Sequence, residues 1–492
     1  MAWSTLLSRL MTGLRMVALL MTVVASLLLH SRAGFSLPEP WPDEVAFVWP
    51  AKSLAEHATL LAPQLNGSRP MMWMPPGYTV VMAAVISLGS LDLSLFRWVS
   101  WFFTATAMLG LLLLHQRQKG TVFSLPLLVV TAIAPAWVVA GNIARMEALL
   151  ICTSVFGFLL LSAGRLWKGV SILAAGVLIH PNGVFFLTAG AVLATLSWRR
   201  QGSRPSRSDW ALVGVVGLGY LAYGLLAVHN LEHFLTDMRF QFARKKSQSM
   251  MNLSSFLQPE VLPVVLGLFG AAIASWLRWG CLRPSLCLAA ASCAIPIFAN
   301  EMWYLVFGDL GLILLLVEWT DIAASTPLGA TFAVRPAARF GVRLVHLAVL
   351  AAMCGAGLRL LRWKNVTEDP RRLPGEMSWE GMRMQKESCM LESERLTVNQ
   401  ALGRLAATTS NHRVVFDPPG DALLLQPTSG EYTPFFPLFT GEQPDLVAVH
   451  LVPQWGCCDD RLARVDALKR EKTPLFVHAE AGQVRWIVFS AN

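Results

Sequence analysis

The sequence predicts a polytopic α-helical membrane domain followed by a small soluble α/β domain. Three observations carry this. Of 492 residues, 54% are hydrophobic and 14% charged, where a soluble domain carries about 25% charged residues. Windows free of Asp, Glu, Lys and Arg recur along the first three-quarters of the chain. The charges also divide unevenly. Residues 1–364 hold 27 Lys+Arg and 14 Asp+Glu, whereas the much shorter stretch 365–492 holds 13 and 17. An ordinary soluble enzyme, a disordered chain and a collagen-like chain are excluded. The boundary falls at 364/365.

The charge-free windows lie at 16–31, 70–91, 98–114, 120–144, 148–164, 169–198, 210–231, 261–277, 284–300, 302–317 (interrupted by Asp309) and 344–358. At about 20 residues per span they give about 11–13 transmembrane helices. Helices are required because lipid offers the backbone no hydrogen-bond partner. The window 169–198 exceeds one span and is broken by Pro181 and Gly183, which predicts a span plus a re-entrant piece. Arg9 and Arg15 precede the first run, which reads as an uncleaved span, since no small-residue cleavage site follows it.

Three segments between spans are long: 32–69, 232–260 and 318–343. The first reads as an extracytoplasmic loop. Arg335, Arg339 and Arg343 place the start of the last span on the cytoplasmic side, and the soluble domain outside. His115-Gln116-Arg117-Gln118-Lys119 conflicts with simple alternation. It looks cytoplasmic by charge, yet alternation from an external 32–69 puts it outside. One early apolar segment being re-entrant would remove the conflict. The expected location is the plasma (inner) membrane, multi-pass, with an extracytoplasmic C-terminal domain.

The sequence pI is about 9.3, but the basic residues sit in short clusters between apolar runs, such as Arg199, Arg200, Arg204 and Arg207. That pattern fits membrane lipids with anionic headgroups rather than nucleic acid. The eight cysteines show no metal spacing. Cys281, Cys287 and Cys293 read as helix packing. Cys389 can pair with Cys457 or Cys458 in an oxidising compartment, or all three can be free thiols. No His/Cys/Asp/Glu cluster has ligand spacing, so no metal site and no cofactor are expected; a divalent metal is possible but not indicated. A Gly-rich phosphate loop is absent too.

In the soluble domain, 391–408 reads as a helix. Val414–Phe416, Leu446–Val449 and Trp486–Phe489 read as short buried strands. Asn365-Val366-Thr367 is a sequon by pattern, and Asp417-Pro418-Pro419-Gly420 is turn chemistry.

The most informative stretch follows the first span. It holds Trp41-Pro42-Asp43-Glu44, then Pro63-Gln64-Leu65-Asn66-Gly67, then Trp73-Met74-Pro75-Pro76-Gly77-Tyr78. This order resembles the GT-C superfamily of integral-membrane glycosyltransferases, in the branch of aminoarabinose transferases and protein O-mannosyltransferases. Those proteins carry an Asp-Glu pair after the first span, a Leu-Asn-Gly turn about twenty residues on, and Pro-Pro ahead of the second span. The likeness covers mainly 38–80, echoes weakly to about 185, and beyond that is one of architecture. It implies a GT-C type fold and inverting transfer of a sugar from a polyprenyl-phosphate donor. The acceptor is a hydroxyl of a glycolipid, protein or cell-wall glycan at the extracytoplasmic face.

Such a transfer needs a carboxylate to take the acceptor's proton. Asp43 is the candidate general base, with Glu44 beside it; both are equally placed to cap a helix and meet its dipole. Arg145 and Glu147 stand where the resembling enzymes carry an Arg and an Asp, and so form a second candidate pair. An interfacial ion pair between two helices is the other reading. His180, in His180-Pro181-Asn182-Gly183, aligns with a family position facing the donor phosphate, or is a packed histidine. Arg239 and Arg244, beside Lys245 and Lys246, are candidate phosphate ligands or a positive-inside loop. Glu301 and Tyr304, at the start of a late span, are further substrate-binding candidates.

One departure matters. The aminoarabinose transferases have Glu-Lys before Pro-Pro, and this chain has Trp73-Met74. Arg69 or His180 is then required to meet the donor phosphate. The alternative function is a non-enzymatic transporter of lipid or solute. Transporters often show internal repeats and midplane charges, and this chain shows no repeat.

Overall fold

A computed structural model describes residues 42–62, 70–89, 93–120, 124–131, 134–248, 261–298, 304–325, 392–417, 433–435, 444–451, 466–480 and 483–491, apart from 73, 203 and most scattered side chains at element ends, together with isolated positions 13, 17, 20, 24, 65 and 425. The first predicted span apart from positions 17, 20 and 24, the last predicted span, Glu301, Arg69, the sequon and Cys389, Cys457 and Cys458 lie outside the described residues.

The membrane part is a bundle. Its helices are α1 Pro42–His57, α2 Gly77–Leu88, α3 Leu93–Arg117, α4 Leu125–Thr131, α5 Pro135–Asn142, α6 Met146–Ser162 and α7 Leu166–Ile179. They continue with α8 Gly183–Gln201, α9 Arg207–His229, α10 Leu231–Gln248, α11 Leu262–Trp279, α12 Pro284–Phe298 and α13 Leu305–Ser325. Three described helices are long and apolar enough to cross a membrane alone: Leu95–Arg117, Arg207–His229 and Leu262–Trp279. Others reach 14–17 residues, about 21–26 Å at 1.5 Å per residue.

Side-chain contacts fix the direction of each helix. Glu44, Arg97, Ala144 and Arg145 meet at one end, here called the upper end. His115, Ser124, Arg283 and Asp321 meet at the other, the lower end. α3 therefore descends. α4 and α5 return as one broken crossing, split where Pro135 starts α5. α6 descends beside α3, with the Arg117 Nε donating to the Ser162 carbonyl at 3.0 Å. α7 and α8 form a helical hairpin, which replaces the predicted span plus re-entrant piece. α12 and α13 form another.

The conflict over 115–119 resolves at α2. Its twelve residues extend about 18 Å. Tyr78 at its start faces Ser100 of α3, and Gly89 just past its end lies against Leu95 of α3. Both ends of α2 thus lie near the start of α3, so the window 70–91 is not a crossing. Residues 115–119 fall at the lower end, with Arg165, Lys168, Arg199, Arg200, Arg207 and Arg278. Two other predicted loops are corrected as well. Residues 231–248 are helical, and α13 runs on to Ser325.

Local chemistry places the turns. α9 opens on a capping box: Ser206 Oγ accepts the Asp209 N–H, and Asp209 accepts the Ser206 N–H at 2.7 Å. α8 and α11 close on Gly202 and Gly280 at φ +59° and +65°, the left-handed conformation that glycine adopts freely. At the lower end Arg283 sits between two carboxylates, Asp321 at 3.0 Å and Glu318 at 3.4 Å. Ser124 links His115 to Asp321 there.

The C-terminal part is α14 Glu392–Ala406 and strands β1 Arg413–Asp417, β2 Thr433–Phe435, β3 Leu446–His450, β4 Phe476–Glu480 and β5 Gln483–Ser490. The sheet order is β2-β1-β3-β5-β4. β1 pairs in parallel with β2 and β3, and β5 is antiparallel to β3 and β4. Val398, Leu402 and Ala406 of α14 join Val414, Phe416, Ala448 and Val488 in a core. Sequence periodicity predicted α14, β1, β3 and β5. It missed β2, which is three residues long, and β4, whose exposed Val477 and Ala479 lie on the sheet edge.

A Cβ on Gly183 would lie 2.6 Å from the Gly176 backbone, whereas one on Gly214 would meet nothing within 4 Å. Backbone cannot yield as a side-chain tip can. Gly183→Ala should destabilise the protein by about 1–3 kcal/mol, and Gly214→Ala should leave it unchanged or raise it by up to about 1 kcal/mol. Thermal unfolding of the two variants in detergent checks this.

Candidate active site

The upper end is organised by the start of α1. Glu44 is fully buried. Its carboxylate receives Arg97 Nε at 3.0 Å and Arg97 Nη2 at 2.8 Å, the two-point fork of guanidinium on carboxylate. The Ala144 N–H donates to the same carboxylate at 2.6 Å. That third bond exists because the chain leaves helix between α5 and α6. Ile143 and Arg145 are extended, with φ/ψ of −121°/135° and −132°/161°, which frees the intervening amide. Glu44 thereby joins α1, α3 and the α5–α6 break.

One residue on, Arg145 forks onto Glu147, with Nη2 2.8 Å and Nε 3.1 Å from the two carboxylate oxygens. Both are buried. The Arg145 guanidinium lies over the Phe47 ring at 5.9 Å. Phe47 in turn meets Tyr78 edge-on at 5.6 Å. Tyr78, buried at the start of α2, sits in the field of Glu44, Glu147 and Arg145. Two guanidinium groups and two carboxylates therefore balance in a region walled by aromatic rings. Buried charge is tolerated only when paired in this way.

The two glycine-bearing turns noted in the sequence meet here. Gly77 passes so close to the Leu178 carbonyl that a Cβ would lie 2.5 Å from it, and Gly183 packs on the same final turn of α7. Between them His180 is fully buried. Its Nδ1 accepts the Asn182 N–H at 2.9 Å, so the neutral ring carries its proton on Nε2. That nitrogen faces the Tyr304 hydroxyl at 3.5 Å, with the rings edge-to-face. Both ring nitrogens thus face protein groups.

Asp43 is the second residue of α1, directly before the clamped Glu44. Its side chain and that of Arg244 lie outside the described residues, as do Arg69 and Glu301 altogether. Glu44, Arg145 and Glu147 come together, and His180 with Tyr304 lies at the same end. Arg239 is exposed on α10. That helix is tied to the first loop by Asp237, which is buried and accepts the Met72 N–H at 2.9 Å. Among the described residues no group of three or more His, Cys, Asp or Glu could hold a metal ion.

Sequence reasoning missed Arg97, Tyr78 and Asp237. Arg97 carried a signal: a lone cation at the mouth of an apolar run must find a buried acid. Tyr78 stood in the Pro75-Pro76-Gly77-Tyr78 motif without a role assigned to it, and Asp237 carried no signal, since their roles depend on which helix ends meet.

No family model matches the chain, and no curated protein does. Among solved structures it is similar to ArnT from Cupriavidus metallidurans bound to undecaprenyl phosphate. That match has 16% identity and a TM-score of 0.47 over 96% of this chain and 98% of that one. It is also similar to the apo state of that protein, at 14% identity and a TM-score of 0.46 over 96% and 97%.

Arg97→Leu should cost about 3–5 kcal/mol, because it strands a buried carboxylate. Adding Glu44→Gln should return part of that loss, since it removes the stranded charge and keeps an acceptor for the Ala144 N–H. Thermal unfolding of the single and double variants decides it. Equal loss in both would mean that Glu44 and Arg97 are not coupled.

Proposed function

We propose that this integral membrane protein is a glycosyltransferase that moves a sugar from a polyprenyl-phosphate donor to an acceptor hydroxyl, with inversion, at the upper end of the bundle. The observation that carries the reading is the clamp on Glu44. It fixes the first turn of α1, and with it the backbone of Asp43, beside the buried Arg145–Glu147 pair. The motif order over 38–80 supports the same assignment.

On this reading Asp43 takes the proton from the acceptor hydroxyl. The oxygen forms its bond to the anomeric carbon as the bond from that carbon to the phosphate oxygen breaks. The electron pair leaves with polyprenyl phosphate. Glu44 sets the position of that turn, and Arg145–Glu147 shapes the neighbouring wall. A phosphate that gains charge as it leaves requires cations. The exposed Arg239 is proposed for that role, with Arg69 and Arg244. His180 is proposed to hold the α7–α8 corner and Tyr304 in register. A donor that stays in the bilayer accounts for a site built at the end of a membrane bundle.

The orientation follows from charge. The lower end gathers Arg117, Lys119, Arg165, Lys168, Arg199, Arg200, Arg204, Arg207 and Arg278 with exposed or half-exposed side chains. The positive-inside rule makes that end cytoplasmic. The upper end is then extracytoplasmic. A further span at 344–358 would carry residues 365–492 to the same side, and the plasma (inner) membrane is the proposed location.

Incubating the full chain with a panel of undecaprenyl-phosphate sugars and scoring released undecaprenyl phosphate tests the activity. Asp43→Asn should insert and unfold as the parent does, and should lower turnover about 100-fold or more. Parental turnover in Asp43→Asn would remove the base, and no release with any sugar would remove the donor class. Orientation is checked separately by thiol labelling of intact cells. Cysteines placed at 57 and 471, both exposed, should react from outside, and one placed at 204 should react only after permeabilisation.

A further inference from the structure

A second feature lies at the opposite end from the proposed chemistry. α8 and α11 both pack on α12. α12 is buried over most of its length, and Ala290 is its one exposed residue. The two walls meet at the lower end, where the Arg200 guanidinium lies 5.0 Å above the Trp276 ring. Both residues are exposed. Above Arg200, toward the bundle centre, the outer face of α11 is apolar and exposed. α11 presents Leu266, Phe269 and Ile273 on the face that carries Trp276, with Leu277 beside it, all exposed.

We propose that this face seats one phospholipid with an anionic headgroup from the leaflet at the lower end. The stacked face of a guanidinium makes no hydrogen bond, while its edge keeps the N–H fork that suits a phosphate. Trp276 thus covers one side of Arg200 and leaves its N–H groups to a phosphate. Arg199, its neighbour in the chain and also exposed, adds further positive charge. Anionic headgroups are drawn to such clusters. An acyl chain then lies along the apolar stripe of α11, which among the described residues is 46–79% exposed at Phe269, Ile273, Trp276 and Leu277. The seat is distinct from the proposed donor site, which lies at the other end of the bundle, and its test does not use turnover.

The experiment is native mass spectrometry of the full chain in detergent, titrated with phosphatidylglycerol or phosphatidylcholine. The parent should retain one phosphatidylglycerol in preference to phosphatidylcholine. Arg200→Gln should weaken that retention about tenfold, the scale of one charge-assisted hydrogen bond. Arg200→Lys should recover only part, because the planar fork is lost. Arg207→Gln, an exposed cation at the start of α9, should change it less than twofold. Arg200 is on the surface, so all variants should unfold at the parental temperature, which a thermal scan verifies. Equal retention of the two lipids would overturn the proposal. So would equal losses in Arg200→Gln and Arg207→Gln, which would mean a diffuse basic belt with no seat.

Discussion

The three-way hold on Glu44 is the contact on which the upper end depends. A carboxylate at the start of α1 is buried in a membrane bundle, where an unpaired charge is not tolerated. It is stabilised by a guanidinium from α3 and by an amide that is free only because the chain is extended at 143–145. Three separate stretches of sequence must therefore arrive together for any of them to be stable there. Arg145, Glu147 and Phe47 follow from that arrival, since they sit one to three residues from the atoms that Glu44 fixes, and Phe47 then meets Tyr78.

The two ends of the bundle use charge differently. At the upper end charges are buried and matched, carboxylate to guanidinium. At the lower end a buried group, Arg283 between Glu318 and Asp321, lies beneath an exposed and strongly basic rim. The buried network ties together α3, the start of α4, the start of α12 and the end of α13. On the proposed reading this asymmetry sets the direction of the molecule in the bilayer, with the chemistry at the upper end and lipid headgroups at the lower.

Much of the architecture was legible because apolar length and charge are local properties. The charge-free windows located most of the helices, and Val414–Phe416 and Leu446–Val449 showed buried strands. What was not legible depended on contacts between distant residues. The window 70–91 has the apolarity of a crossing, but α2 stops after twelve residues because Gly77 docks on α7 and its other end returns to α3. The window 169–198 hides a hairpin, since Pro181-Asn182-Gly183 turns the chain and Gly176 and Gly183 then let the two helices close. Glu44, Arg145 and Glu147 were found from motif order. Their neighbour Arg97 was not, because its partner lies 53 residues away.

The measurement that bears most directly on the account is the place where a polyprenyl-phosphate lipid touches the chain. A photoreactive undecaprenyl-phosphate analogue, crosslinked to the full-length protein and mapped by peptide mass spectrometry, reads that position. The account predicts adducts at the upper end, in 42–49, 71–78 or 142–147. Adducts confined to 115–120, 283–285 and 318–321 would place the lipid phosphate at the opposite end of the bundle and contradict it.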